Sequence, residues 1–160
     1  LHKAIRRQRQ MCIRDRFMTL QTKNLSSGLE DYLELIYIAH INKKPLKGAE
    51  LARQMNISRA SVSEALSKLV SKNLIKYNSY EAITLTQNGF EEAKTVYQKH
   101  HTIKDFFEKV LGIEQAEAGE NACKIEHIIT QNILEEMTNF TNFCKKHSEI
   151  LELYKKEKLK

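Results

Sequence analysis

Apolar side chains recur at helical spacing along most of this chain, and the spacing gives way to alternation only once. Leu29, Leu33, Ile36, Tyr37 and then His40 or Ile41 form one stripe, which predicts a helix from Ser26-Ser27 to about Asn42 with a Ser cap and acids in its first turn. Asn42 to Pro45 breaks it. Lys47 to Met55 predicts a short helix, Asn56-Ile57 a turn, and Ser58 caps a helix from Arg59 to about Lys72 whose inward positions are Val62, Leu66, Leu69 and Val70. Two short helices joined this way predict a helix-turn-helix. After Asn73 the period drops to about two: Leu74 to Tyr77, a turn at Asn78 to Tyr80, then Ala82 to Thr86 form a small hairpin placed as the wing of a winged helix. Thr86 to Gly89 starts a long helix that carries Phe90, Ala93, Val96, Tyr97, Ile103, Phe106, Phe107 and Val110 to about Leu111, where Gly112 stops it. A helical stretch from about Gln115 to Ile129 follows. Ile133 to about Lys146 is amphipathic with Ile133, Leu134, Met137, Phe140 and Phe143 inward, and a C-terminal helix carries Ile150, Leu151 and Tyr154. The fold class expected is therefore mainly α: an N-terminal winged helix-turn-helix with a small β-hairpin wing, followed by an all-α domain.

Charge sharpens this division. The net charge of the 160 residues is +6, but it is not spread evenly. Residues 43–80 hold eight basic and two acidic side chains, whereas 81–160 hold eleven and fourteen. A basic block beside a mildly acidic remainder is the footprint of a nucleic-acid-binding lobe joined to something else. Residues 1–17 are Arg-rich and lack an apolar face, so they are expected to be a non-native or disordered extension before a native start at Met18, with a basic arm along DNA as the alternative. The longest apolar run, Tyr32 to Ile41, is interrupted by Glu34 and His40, so no membrane association is expected. Three widely spaced cysteines, at 12, 123 and 144, fit a reducing, cytoplasmic setting.

Candidate chemistry centres on Cys123, Glu126 and His127. On a helix they stand at i, i+3 and i+4 and share a face, and thiolate, carboxylate and imidazole together suit a divalent transition metal. The plainer alternative is a small buried Cys, a solvated Glu and an incidental His. Asp31 and Glu34 form an i, i+3 carboxylate pair on the first helix, and His100 and His101 lie mid-way along the long one; each alone is an ordinary surface or packing feature.

Several strings in order resemble one family. Leu29 to Tyr37, with its Asp-Tyr-Leu-Glu element, then Ser58 to Ser63, Ile83 to Thr86, and Ala122 to His127, with its Cys-x-x-Glu-His element, are similar to the metal-dependent repressors of the diphtheria-toxin-repressor and manganese-transport-regulator group. The resemblance covers about Leu25 to Phe143. It implies a metal held by Asp31, Glu34, His100, Cys123, Glu126 and His127, a helical domain that binds metal and dimerises, and a short form without the SH3-like third domain. Manganese-selective members carry a carboxylate at the place of Cys123, while iron-responsive members carry Cys there but usually a thioether at the place of Asp31. The cofactor expected is thus Mn(II) or Fe(II), with the choice open.

The resulting expectation is a homodimeric, metal-activated repressor of metal-ion homeostasis that binds palindromic operators in double-stranded DNA. Ser58, Arg59, Ala60, Ser61, Ser63 and Glu64 would form the reading end of the recognition helix, with Lys68 and Lys76 toward phosphate. The expected divisions are 1–17, the extension; 18–88, the winged-helix domain; 89–146, the helical metal-binding and dimerisation domain; and 147–160, a C-terminal helix or tail. Two rivals remain: a metal-independent winged-helix regulator that senses an organic ligand, and a metalloenzyme, against which stands the lack of a separate base, oxyanion group or glycine-rich phosphate loop.

Overall fold

A computed structural model describes residues 25–79 and 81–158; the extension, Met18, Cys12 and Tyr80 lie outside them. Helix α1 (Ser27–Ile41) leads to the short α2 (Gly48–Gln54) and to α3 (Arg59–Ser71). Asn56 adopts a left-handed conformation (φ 54°) in the turn between α2 and α3, one of the few a non-glycine residue takes readily. Ser58 caps α3 through a 3.0 Å bond that its hydroxyl accepts from the Ser61 amide. The wing is shorter than the alternation suggests: β1 (Ile75–Lys76) and β2 (Thr84–Leu85) pair antiparallel with Ile75 opposite Leu85 and Lys76 opposite Thr84. The Ile83 amide bonds the Leu46 carbonyl (2.8 Å), which ties the wing to the segment after α1.

One junction orients everything downstream. The hydroxyl of Thr86 donates toward the carbonyls of Asn73 (2.8 Å) and Leu74 (3.0 Å) and accepts from the Gly89 amide (3.0 Å), so the end of the helix-turn-helix and the start of α4 (Gln87–Asp105) are fixed together. Any side-chain carbon at Gly89 would collide with the Leu74 carbonyl, which explains the glycine. From this junction α4 runs back along α1, with Tyr37 packed on Phe90 and Tyr97.

Beyond Asp105 the long helix widens into a π turn, Phe106–Val110, before Gly112 (φ 67°) ends it. Helices α5 (Gln115–Ile125), α6 (Gln131–Lys146) and α7 (Ser148–Lys158) complete the described chain. Two apolar clusters result. The larger joins α1, α2, α3, the wing and the start of α4 around Leu33, Leu51, Leu66 and Leu69; the smaller joins α4, α5 and α6 around Ile103, Ala122 and Leu134.

Several inward assignments are corrected. In α3, Ala65 is buried and Val70 exposed, because Val70 stands one helical step off the stripe made by Val62, Leu66 and Leu69. His40 and Ile41 are exposed at the end of α1. On α6 only Leu134, Thr141 and Cys144 are buried, while Ile133, Phe140 and Phe143 remain 44–49% exposed. Phe140 and Phe143 stack on each other, and Phe106 approaches Phe140, so the apolar face of α6 forms an aromatic strip turned outward. No helix among the described residues is long and apolar enough to cross a membrane.

Candidate metal centre

Helix α5 ends at Ile125, earlier than its sequence pattern suggests, and Glu126 is its C-cap residue. Its backbone is still helical there (φ −56°, ψ −29°), so Glu126 points onto the face shared by α1 and α4. The side chain is fully buried. Its Oε2 accepts a 2.7 Å hydrogen bond from His100 Nδ1, and Oε1 has no hydrogen-bond partner.

Around this carboxylate two donor groups meet. Asp31, Glu126 and His127 bring one ligand atom each within 4.8 Å of one another, and Glu34, His100 and Glu126 do the same. Glu126 belongs to both. His100 Nδ1 also stands 3.8 Å from Glu34 Oε1. Residues 31 and 34 on α1, 100 on α4 and 126–127 after α5 are thus brought into one site although they span 96 positions of sequence. Cys123 is the exception: it is exposed on α5 and outside both groups, at their rim.

One contributor had no place in the expected set. His127 donates from Nδ1 to Glu30 Oε2 (2.6 Å) and from Nε2 to Asp31 Oδ1 (3.0 Å). A ring that donates from both nitrogens is an imidazolium. The sequence signal for Glu30 is position alone, since it adjoins Asp31 and lies one turn before Glu34, and an acid in a first helical turn is equally explained by the helix dipole. His101, left out of the set, donates from Nδ1 to the Tyr97 carbonyl (3.0 Å) and packs on the Tyr97 ring, turned away from the site.

Four carboxylates crowd two imidazoles, and the protonation equilibria reflect it. Burial, followed by the charges of Glu126 and Asp31, pushes Glu34 up to about 6, against the opposing pull of His100 and His127. The hydrogen bond to Glu126 raises the pKa of His100; burial and the Lys104 ammonium oppose it, and Glu34 adds to it. Burial works against the charge on His127, but Glu30, Asp31 and Glu126 outweigh it and raise its pKa. Burial, with the charges of Asp31, Glu126 and Glu34, raises the Cys123 thiol. Protons now hold together a cluster of negative charge that a divalent cation would neutralise more fully. A sealed carboxylate oxygen without a hydrogen bond, 3.6 Å from His127 Nε2 and among oxygen and nitrogen donors, fits a metal such as Mn(II) or Fe(II).

Ser58, Arg59, Ala60, Ser61, Ser63, Glu64 and Lys68 are all exposed on α3, as is Lys76 on β1, and Lys68 pairs with Glu64 at 2.7 Å.

Comparison with known proteins agrees with this layout. Residues 24–83 match the N-terminal DNA-binding domain of iron-dependent repressors, and residues 86–152 match the metal-binding and dimerisation domain of the same proteins. The chain is 42% identical over 117 residues to an uncharacterised HTH-type transcriptional regulator of Methanocaldococcus jannaschii, covering 72% of this chain and 94% of that one. It is 23% identical over 124 residues to the regulator MntR of Lysinibacillus sphaericus, covering 78% and 88%. Among solved structures, the manganese regulator SloR superposes with a TM-score of 0.64 at 29% identity, covering 72% of this chain and 54% of that one, so the chain spans about half of its length. With both domains matched in order and the donor cluster lying between them, the chain belongs to the iron-dependent repressor family, the diphtheria-toxin-repressor and manganese-transport-regulator group of metal-dependent transcriptional regulators.

Proposed function

We propose that this protein is a cytoplasmic, metal-activated transcriptional repressor without catalytic activity, which binds palindromic operators as a homodimer under control of Mn(II) or Fe(II). The observation that carries this reading is Glu126: buried, without a hydrogen bond at Oε1, and shared by donor groups from both sides of the site. Asp31, Glu34, His100, Glu126 and His127 would hold the ion, with Cys123 at the rim as the sixth donor. When bound, the ion supplies positive charge, which offsets the crowding of the carboxylates. Asp31 and Glu34 sit on α1, whose other side packs on the recognition helix, while His100, Glu126 and His127 belong to the α4–α5 scaffold. Joining the two sets fixes the posture of the reading lobe, and an ion that prefers this posture shifts the population toward it by its differential affinity.

Dimerisation is assigned to the outward face of α6, where Ile133, Phe140 and Phe143 give an apolar surface on the domain that bears the family's dimerisation function. Two-fold symmetry then places two α3 helices on half-sites about one helical turn apart or a multiple of it. Arg59, Ser61, Ser63 and Glu64 face base edges from the first turns of α3, whose start is framed by Ser58 and Ala60, while Lys68 and Lys76 contact phosphate. Selection of binding sites from random duplexes in the presence of Mn(II), followed by mobility shift with Mn(II), Fe(II) or chelator, tests the proposal. Retardation that requires metal is expected; equal binding in chelator overturns it.

A further inference from the structure

Lys104 follows His100 by one turn of α4, so its stem rises beside the imidazole. It does not extend freely into solvent. Its ammonium stands 3.6 Å from Glu108 Oε1, with side-chain exposures of 27% and 24%. The stem lies over α5 at Gly119, where a Cβ would stand 4.0 Å from Lys104 Cε. Lys104 therefore threads the crossing of the same two helices that carry His100 and Glu126. Glu108 Oε1 is sealed from solvent and makes no hydrogen bond, so the partner of this ammonium offsets its charge only loosely.

We infer that Lys104 and Glu108 form an electrostatic pair that sets the metal concentration at which the site fills: Lys104 raises it and Glu108 lowers it. This rests on the proposed metal site and deepens it. A fixed ammonium near a cluster of four carboxylates and two imidazoles removes part of the negative potential that attracts a cation, and a divalent ion feels twice what a proton feels. Coulomb's law for a divalent ion and a unit charge about one helical turn apart corresponds, even at the dielectric of water, to a change in affinity on the order of tenfold.

The test is Mn(II) affinity of the full chain, read by electron paramagnetic resonance, for wild type, Lys104→Gln, Lys104→Arg and Glu108→Gln. Lys104→Gln is expected to bind roughly ten times more tightly, Lys104→Arg within about twofold of wild type, and Glu108→Gln several times more weakly. Opposite signs for the two neutral variants are the signature, since a packing role would weaken both. Should Lys104→Gln fail to fold, Lys104→Met, which keeps the apolar stem, serves the same comparison. Normal wild-type binding with unmoved or equally weakened variants overturns this inference alone. A wild-type chain that takes up no Mn(II) overturns the proposed function and this with it.

Discussion

His127 and Glu30 are joined by a 2.6 Å hydrogen bond across 97 positions of sequence, and the other ring nitrogen of His127 holds Asp31 at 3.0 Å. The protonated ring thus bridges α1 and the end of α5. A metal that recruits His127 has to displace a proton and break one of these bonds. Glu30→Gln removes one of the carboxylates that raise the His127 pKa, so that pKa should fall. Histidine proton resonances followed against pH check this, and an unchanged His127 titration would contradict it.

Stability against pH follows from the same cluster. Glu34, His100 and His127 all have raised pKa values in the folded state. Each therefore contributes stability that is fully present below its unfolded pKa and is lost as pH rises through its folded one. Glu34, raised from 4.5 to about 6, accounts for a loss of about 2 kcal/mol between those values, and the two histidines extend the loss above pH 6.5. Metal-free protein should unfold at progressively lower temperature from about pH 5 to pH 8 as these groups lose protons, and added Mn(II) should reverse the trend. Calorimetry with chelator and with Mn(II) distinguishes the two curves.

Glu126→Gln keeps the shape of the side chain and removes a buried charge. Metal-free stability is expected to change by less than about 1 kcal/mol, because the loss of the His100 partner is offset by relief of crowding with Glu34. Metal affinity should fall by about a hundredfold or more, and metal-stimulated DNA binding with it. A variant that responds to metal like wild type would remove Glu126 from the ligand set. Cys123 offers a second comparison: Cys123→Glu should shift preference toward Mn(II), as measured by competition between Mn(II) and Fe(II).

The aromatic strip gives a prediction about assembly. Phe143→Glu places a charge in the exposed face made with Phe140, and should convert a dimer into a monomer that still folds, since Phe143 is 44% exposed within its own chain. Sedimentation equilibrium reads the mass directly.

On the reading helix, Arg59→Ala should weaken operator binding about tenfold or more and relax preference at one base position. Lys76→Ala should weaken binding to all sequences alike and reduce the salt slope by about one. Anisotropy titrations at several salt concentrations separate these effects.

Much of this was legible in sequence because each signal was local. Ser58 and Thr86 cap helices where their types and positions say they should, and the change of period after Asn73 marks the wing. The donor cluster was legible only by resemblance, since Asp31, His100 and Glu126 have no relation in sequence that places them together. The failures share a cause. Periodicity shows that a face is apolar but not what covers it, so Phe140 and Phe143 look the same as core residues. Glu30 was missed because an acid in a first helical turn is explained by the helix dipole alone.

The proposed switch depends most on one ion held by residues from both sides of the site. Crystals grown with Mn(II), measured at the manganese absorption edge, show directly where that ion lies. An anomalous peak within coordinating reach of Glu126 and of Asp31 or Glu34 is the predicted result. A peak ligated by the α4–α5 scaffold alone, or no peak at this cluster in saturating Mn(II), would contradict it.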